Sequence, residues 1–170
     1  FQPFTTFEFC IDSKNEKSFL TMINLPETVS DRKVCVMGLG YVGLTFAVTL
    51  ADIGYKVFGI EIRSNVLNSL KKGKPHFYEP GLEGTLKKVI NTKNLIVSKK
   101  IPKNIDANVY IITVGTPIGK KKKPRVDMIT NVCEEIKSFL KDGDLIILRS
   151  TVEIGSTKII CKNILDAAKK

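Results

Sequence analysis

A chain of 170 residues has room for one domain with a full core and not for a second. Hydrophobic residues at 43% and charged residues at 26% are ordinary for a globular chain, and no apolar run approaches the roughly 20 residues of a membrane-spanning helix, so no membrane segment is expected. The formal net charge of +10 favours anionic partners, which the phosphates of a cofactor or substrate satisfy as well as nucleic acid does.

Residues 1–31 form an extension of uncertain structure. Phe4, Phe7 and Phe9 alternate with other residues, and a polar stretch, Asp12-Ser13-Lys14-Asn15-Glu16-Lys17, follows. An edge strand, packing on another domain and disorder all fit these residues. Phe1-Gln2-Pro3-Phe4 lacks an initiating Met and the order of a secretory signal, and the chain stops in Ala167-Ala168-Lys169-Lys170, so a longer parent is expected. From Arg32 apolar runs alternate with amphipathic stretches. Val34–Met37 predicts a strand, Leu44–Ile53 a helix, Val57–Ile60 a strand and Val66–Leu70 a helix. A helix from Pro80 through Ile90 and a short strand at Asn94–Val97 come next, then a buried strand over Asn108–Val114. Asp127–Leu140 places Ile129, Val132, Cys133, Ile136, Phe139 and Leu140 at helical spacing and stops at Lys141-Asp142-Gly143. Leu145–Leu148 is the last strand and Ser156–Ala168 the last helix. Strands apolar on both faces and alternating with helices predict an α/β fold, a doubly wound parallel sheet with helices on both faces over residues 32–170.

Cys10, Cys35, Cys133 and Cys161 form no Cys-x-x-Cys pair or Cys/His cluster, which argues against zinc and for reduced thiols in the cytoplasm. Cys35 lies in an apolar run and is expected to pack as a small hydrophobe. Cys133 and Cys161 sit on amphipathic helices as packing residues. His76, the single histidine, follows Lys-Pro in a loop and receives no role, since such a residue usually faces solvent. Lys120–Lys123, between Gly119 and Pro124, has the character of a solvated loop. No aromatic residue interleaves with it, so a base-stacking platform is unsupported.

The sharpest signal is Val36-Met37-Gly38-Leu39-Gly40-Tyr41-Val42-Gly43, a Gly-x-Gly-x-x-Gly between a predicted strand and a predicted helix. Gly38 permits the tight turn, Gly40 lets the backbone approach a pyrophosphate, and Gly43 allows close packing of the helix. The helix start, Tyr41-Val42-Gly43, then offers free N–H groups and a positive dipole end to an anion. Glu61 ends the second strand 23 positions after Gly38, near the spacing of about 20 at which an acid accepts hydrogen bonds from ribose hydroxyls. A carboxylate there repels a 2′-phosphate and favours NAD over NADP. Arg63, two residues on, is the residue that could pair with a phosphate instead. The S-adenosylmethionine loop, commonly Gly-x-Gly-x-Gly, fits Tyr41-Val42 before Gly43 less well.

These residues resemble the opening motif of the UDP-glucose, UDP-N-acetylmannosamine and GDP-mannose 6-dehydrogenases. Three further matches follow in order: Tyr78-Glu79-Pro80-Gly81-Leu82, then Val114-Gly115-Thr116-Pro117, then Arg149-Ser150-Thr151-Val152 with Gly155. The last two fall beyond the carboxyl ends of predicted strands, where ligands of open parallel sheets bind. Each also has a plain structural reading: Thr116-Pro117 as a loop turn, Thr151 as a cap, and Tyr78–Gly81 as the start of a Pro-initiated helix with acids in its first turn.

The resemblance implies oxidation of a nucleotide-sugar C6 alcohol, through the aldehyde, to a carboxylate while two NAD are reduced. It implies cofactor contacts by Gly115, Thr116, Pro117 and Thr151, with Thr151 near the nicotinamide as the one catalytic-site residue. The family's nucleophilic cysteine and its nucleotide-sugar domain have no counterpart here, so these C-terminal parts are expected in the parent and the chain alone is expected to be inactive. A UDP-sugar is the expected substrate class, and no nucleic-acid or metal partner is expected. The sugar and the oligomeric state, a homodimer included, stay open. The rival from another class is a non-catalytic NAD-sensing module, which would use the same glycine loop and Glu61. A weaker rival, nucleic-acid binding, rests on charge alone.

Overall fold

The computed structural model describes residues 31–116, 127–141 and 143–152. Five short strands, β1 (Lys33–Met37), β2 (Lys56–Ile60), β3 (Leu95–Ser98), β4 (Val109–Ile112) and β5 (Leu145–Leu148), form one sheet in the order β3-β2-β1-β4-β5. Every pairing is parallel, with Cys35 of β1 level with Phe58 of β2 and with Tyr110 of β4. Parallel neighbours need crossovers, and α1 (Tyr41–Asp52), α2 (Ser64–Lys71), α3 (Leu82–Asn91) and α4 (Asp127–Lys137) lie in them.

The pleat sorts β1 between two cores. Val34 and Val36 pack with Leu44, Ala47 and Val48 of α1, Leu67 and Leu70 of α2, and Leu86 and Val89 of α3. Cys35 and Met37 face the other way and pack with Tyr110, Ile112 and the Ile129, Cys133 and Ile136 stripe of α4. Both faces are therefore covered, as the apolar strands predict. Ile101, Ile105 and Ala107 also fill the second core from a loop in which no periodicity flags them. Burial pushes the Cys35 thiol up to about 12 and the Cys133 thiol to about 11, so both are inert packing groups.

Several boundaries differ from the sequence expectation, among them the start of α1, which lies at Tyr41 instead of Leu44. The third helix begins at Leu82 instead of Pro80, because Gly81 caps it in the left-handed region at φ 80°. The fourth stops at Lys137, where Phe139 N–H bonds Ile136 C=O in a closing turn. Thr113 and Val114 lie beyond β4, although Thr113 N–H still bonds Met37 C=O at 2.9 Å. The expected helix Ser156–Ala168, the lysine run Lys120–Lys123, residues 1–30, Cys161, Pro117 and Gly155 lie outside the described residues. Among the described residues no helix is long and apolar enough to cross a membrane.

Candidate functional site

The strand order reverses between β1 and β4, since the chain runs outward from β1 through β2 to β3 and then returns to β4 on the other side. Crevices at such switch points, beyond the carboxyl ends of the strands, are where open parallel sheets bind ligands. The glycine loop lies there. Gly38 takes φ +96°, a left-handed value suited to glycine, and its N–H bonds Ile60 C=O at 2.9 Å. Leu39 is fully buried in the space that Gly59 leaves, for a Cβ on Gly59 would lie 2.8 Å from Leu39 Cδ1. The loop is thereby plugged into the core between its first two glycines.

Gly40 is the N-cap of α1, with φ −71° and ψ −161°. A Cβ there meets nothing within 4 Å, so the backbone faces open space. No side chain caps this helix end and no acidic residue lies in its first turn, which leaves the positive end of the dipole uncompensated from within α1. Leu44 N–H bonds Gly40 C=O at 2.9 Å, the first bond of the helix. Gly43 is the opposite case to Gly40. A Cβ on it would lie 1.9 Å from Gly38 O and 2.5 Å from Thr113 Oγ1. Its missing side chain is what lets the first turn of α1 lie against the loop.

Thr113 was not legible as a site residue. Its hydroxyl donates to Gly38 C=O at 2.7 Å and ties the loop to the end of β4. Beyond it, Ser150 Oγ donates to Val114 C=O at 2.7 Å and Thr116 Oγ1 to Thr151 C=O at 2.7 Å. The segments after β4 and β5, matched separately in the sequence, are thus held together. Gly115 and Thr151 are exposed and Thr116 is partly buried.

Glu61 is the one buried charged residue among those described, 3% exposed at the end of β2. Arg63 folds back onto it. The Arg63 backbone N–H and Nε reach Oε1 at 2.9 and 3.0 Å, and Nη2 reaches Oε2 at 2.9 Å. Burial pushes the carboxyl up, but the hydrogen bonds and charge of Arg63, with the Leu39 N–H, outweigh it and hold the group below its ordinary value. The two residues expected to pull in opposite directions on a cofactor form one ion pair, with Arg63 half exposed.

His76 departs from the solvent-facing expectation. It is partly buried, its ring stands edge-on to Phe77 at 4.9 Å, and Phe77 stacks on Tyr41, the first residue of α1, at 4.1 Å and 25°. An open cleft of about 470 Å³ runs along this segment, between His76, Tyr78, Glu79, Gly81, Glu83 and Gly84.

Five parallel strands in this order, with an uncapped glycine-loop helix at the switch point and a buried acid at the end of β2, define a dinucleotide-binding domain of the Rossmann class. Residues 32–170 match the UDP-glucose/GDP-mannose dehydrogenase family, NAD binding domain, and the chain belongs to that family as its NAD-binding part. It is 39% identical over 131 residues to UDP-N-acetyl-D-mannosamine dehydrogenase of Campylobacter jejuni, covering 76% of this chain and 31% of that protein. The enzyme of the same description from Methanococcus aeolicus is 42% identical, with 78% and 30% covered. Among solved structures, UDP-D-ManNAc dehydrogenase of Pyrococcus horikoshii superposes with a TM-score of 0.76 at 30% identity, over 81% of this chain and 33% of that one. A GDP-mannose dehydrogenase of Pseudomonas aeruginosa gives 0.73 at 31%, over 82% and 33%. The chain spans about a third of the length of these relatives.

Proposed function

We propose that this chain is the cofactor domain of a nucleotide-sugar 6-dehydrogenase, which oxidises a sugar C6 alcohol to a carboxylate with two NAD. The single observation that carries the cofactor site is the open face of Gly40 at the uncapped start of α1. In this reading the N–H groups of Tyr41, Val42 and Gly43 donate to a pyrophosphate. Glu61 accepts from the ribose hydroxyls, whose hydrogen bonds replace part of the half-exposed Arg63 side chain's hold on the carboxylate. A 2′-phosphate beside the Glu61 carboxylate would be repelled by it, which favours NAD over NADP. When bound, NAD supplies the hydride acceptor. Thr151 lies on the β5 segment as the residue nearest in role to the chemistry, orienting water or substrate, and Thr116 positions it through the bond to its carbonyl. Gly115 is a further cofactor contact in this reading, and Pro117 is proposed as one from the family resemblance alone.

The relatives named for UDP-N-acetyl-D-mannosamine make that UDP-sugar the first substrate to test. Carrying the aldehyde to a carboxylate takes a covalent or hydrated adduct, and both thiols described here are buried and held protonated. Thr151 alone cannot position a sugar against the nicotinamide, and lost positioning costs orders of magnitude in rate. The 170-residue chain should therefore bind NAD yet form no NADH with UDP-N-acetylmannosamine, UDP-glucose or GDP-mannose, followed at the reduced-nicotinamide absorbance band. A protein of the relatives' length that carries this domain should form two NADH per sugar. Turnover by the 170 residues alone would contradict the proposal, as would a longer protein that binds NAD and oxidises none of the three sugars.

A further inference from the structure

Arg149 heads the Arg149-Ser150-Thr151-Val152 stretch without belonging to the cofactor contacts proposed for it. It follows β5 directly and its side chain is exposed. Its backbone N–H bonds Ile112 C=O at 2.8 Å, which carries the β4–β5 ladder one residue past the strand. Its guanidinium lies over the ring of Phe46 on α1, 5.9 Å from the ring centre. A cation within roughly 6 Å of an aromatic face is drawn to it. Because β4 stands between β1 and β5, this contact joins the β5 segment to α1 across the intervening strand.

Side-chain contacts thereby close a ring around the switch-point crevice. Thr113 ties Gly38 C=O to the end of β4, Ser150 ties the end of β5 to Val114 C=O, and Thr116 holds Thr151 C=O. Those bonds run stepwise from the glycine loop through β4 to the β5 segment. Arg149 and Phe46 return from that segment straight to α1, the helix that the glycine loop opens. Thr151 lies two positions past Arg149, at most about 7 Å along the chain, so holding Arg149 also limits where Thr151 can stand.

We propose that Arg149 is a positioning residue for the nicotinamide half of the cofactor: its contact with Phe46 holds the Thr151 segment in place beside the glycine loop before NAD binds. The inference rests on the NAD reading of Gly40 and Glu61, in which the cofactor runs from Glu61 at the end of β2, across Gly40, to Gly115 and Thr151 beyond β4 and β5. Without the pair, binding itself has to order the β5 segment, and the loss is bounded by the strength of one exposed cation–π contact. The adenosine and pyrophosphate contacts lie on the β2 side and at the glycine loop, and do not pass through Arg149.

The test titrates the full 170-residue chain calorimetrically with NAD and with ADP-ribose, which keeps the adenosine and pyrophosphate and lacks the nicotinamide. Arg149→Ala and Phe46→Leu should each weaken NAD about twofold to fivefold and leave ADP-ribose unchanged. The double variant should lose no more than either single one, because the two side chains act as one contact. Arg149→Lys keeps a cation over the ring and should restore most of the NAD affinity. Arg149 is exposed, so the Arg149→Ala result stands even where Phe46→Leu lowers stability. ADP-ribose weakened as much as NAD would make Arg149 a phosphate contact or a general support, and overturns the proposal. Additive losses in the double variant, or NAD binding unchanged in Arg149→Ala, overturn it too. In each of these cases the NAD site itself stands, whereas a wild-type chain that binds neither ligand removes the site and the proposal together.

Discussion

Gly40 and Gly43 stand three residues apart in one motif, and substitution should separate what each contributes. A methyl group on Gly43 starts 1.9 Å from a carbonyl oxygen, where ordinary contact needs about 3.5 Å, so loop and helix must part by roughly 1.5 Å. The obstacle is backbone that Thr113 holds at 2.7 Å, not the far end of a flexible side chain. Overpacking costs about 1–3 kcal/mol, and this site belongs at the top of that range, offset by at most about 1 kcal/mol of helix propensity. Gly43→Ala should lower stability by about 2 kcal/mol and Tm by roughly 4–8 °C. At Gly40 a Cβ meets nothing and φ is −71°, so Gly40→Val should stay within about 1 kcal/mol of wild type, the scale of an N-cap change. It should nevertheless weaken NAD at least about a hundredfold, roughly 3 kcal/mol, because the side chain fills the space a pyrophosphate needs. Thermal denaturation and calorimetric titration of both variants decide the matter. Gly43→Ala with wild-type stability, or Gly40→Val that binds NAD normally, would refute the reasoning.

Two further outcomes follow from the same geometry. Thr113→Val keeps the shape but removes the hydroxyl that ties down Gly38, so NAD affinity should fall about fivefold to tenfold with circular dichroism unchanged; an unchanged affinity would show that the loop needs no such tie. Glu61→Gln should cost about 1.5–3 kcal/mol at pH 7, the scale of hydrogen bonds to a charged group. Because the folded carboxyl is held below its ordinary value of 4.5, this stabilisation is complete above that value and is lost as pH falls through the lowered one. Urea midpoints of wild type and variant should therefore converge only below about pH 4.5, and a gap that persists fully at the lowest pH where both still fold would contradict the assignment.

The first β-α-β unit was legible almost residue by residue, because strand period, glycine spacing and the terminal acid are all local signals. Helix ends were less so: Gly81 in the left-handed region moved the start of α3 by two residues, and propensity cannot foresee which side of a Pro-Gly pair the turn takes. Contacts between distant segments left no local trace. Thr113 reaches Gly38 across 75 positions and Leu39 fills the gap at Gly59, and each looks ordinary in its own stretch. Arg63 was visible as a basic neighbour of Glu61, but whether it would face a phosphate or its own acid depended on the turn after β2. His76 carried no signal beyond being alone, and only the stack of Phe77 on Tyr41 brings it beside the helix end.

The central claim is that the glycine loop and Glu61 make an NAD site, and calorimetric titration of the wild-type chain with NAD and NADP tests it most directly. NAD should bind with one site per chain and NADP at least about tenfold more weakly, about 1.4 kcal/mol, since the Glu61 carboxylate repels the 2′-phosphate. Equal affinities, or tighter NADP binding through Arg63, would contradict the assignment of Glu61 to the ribose, and no binding of either would remove the site itself.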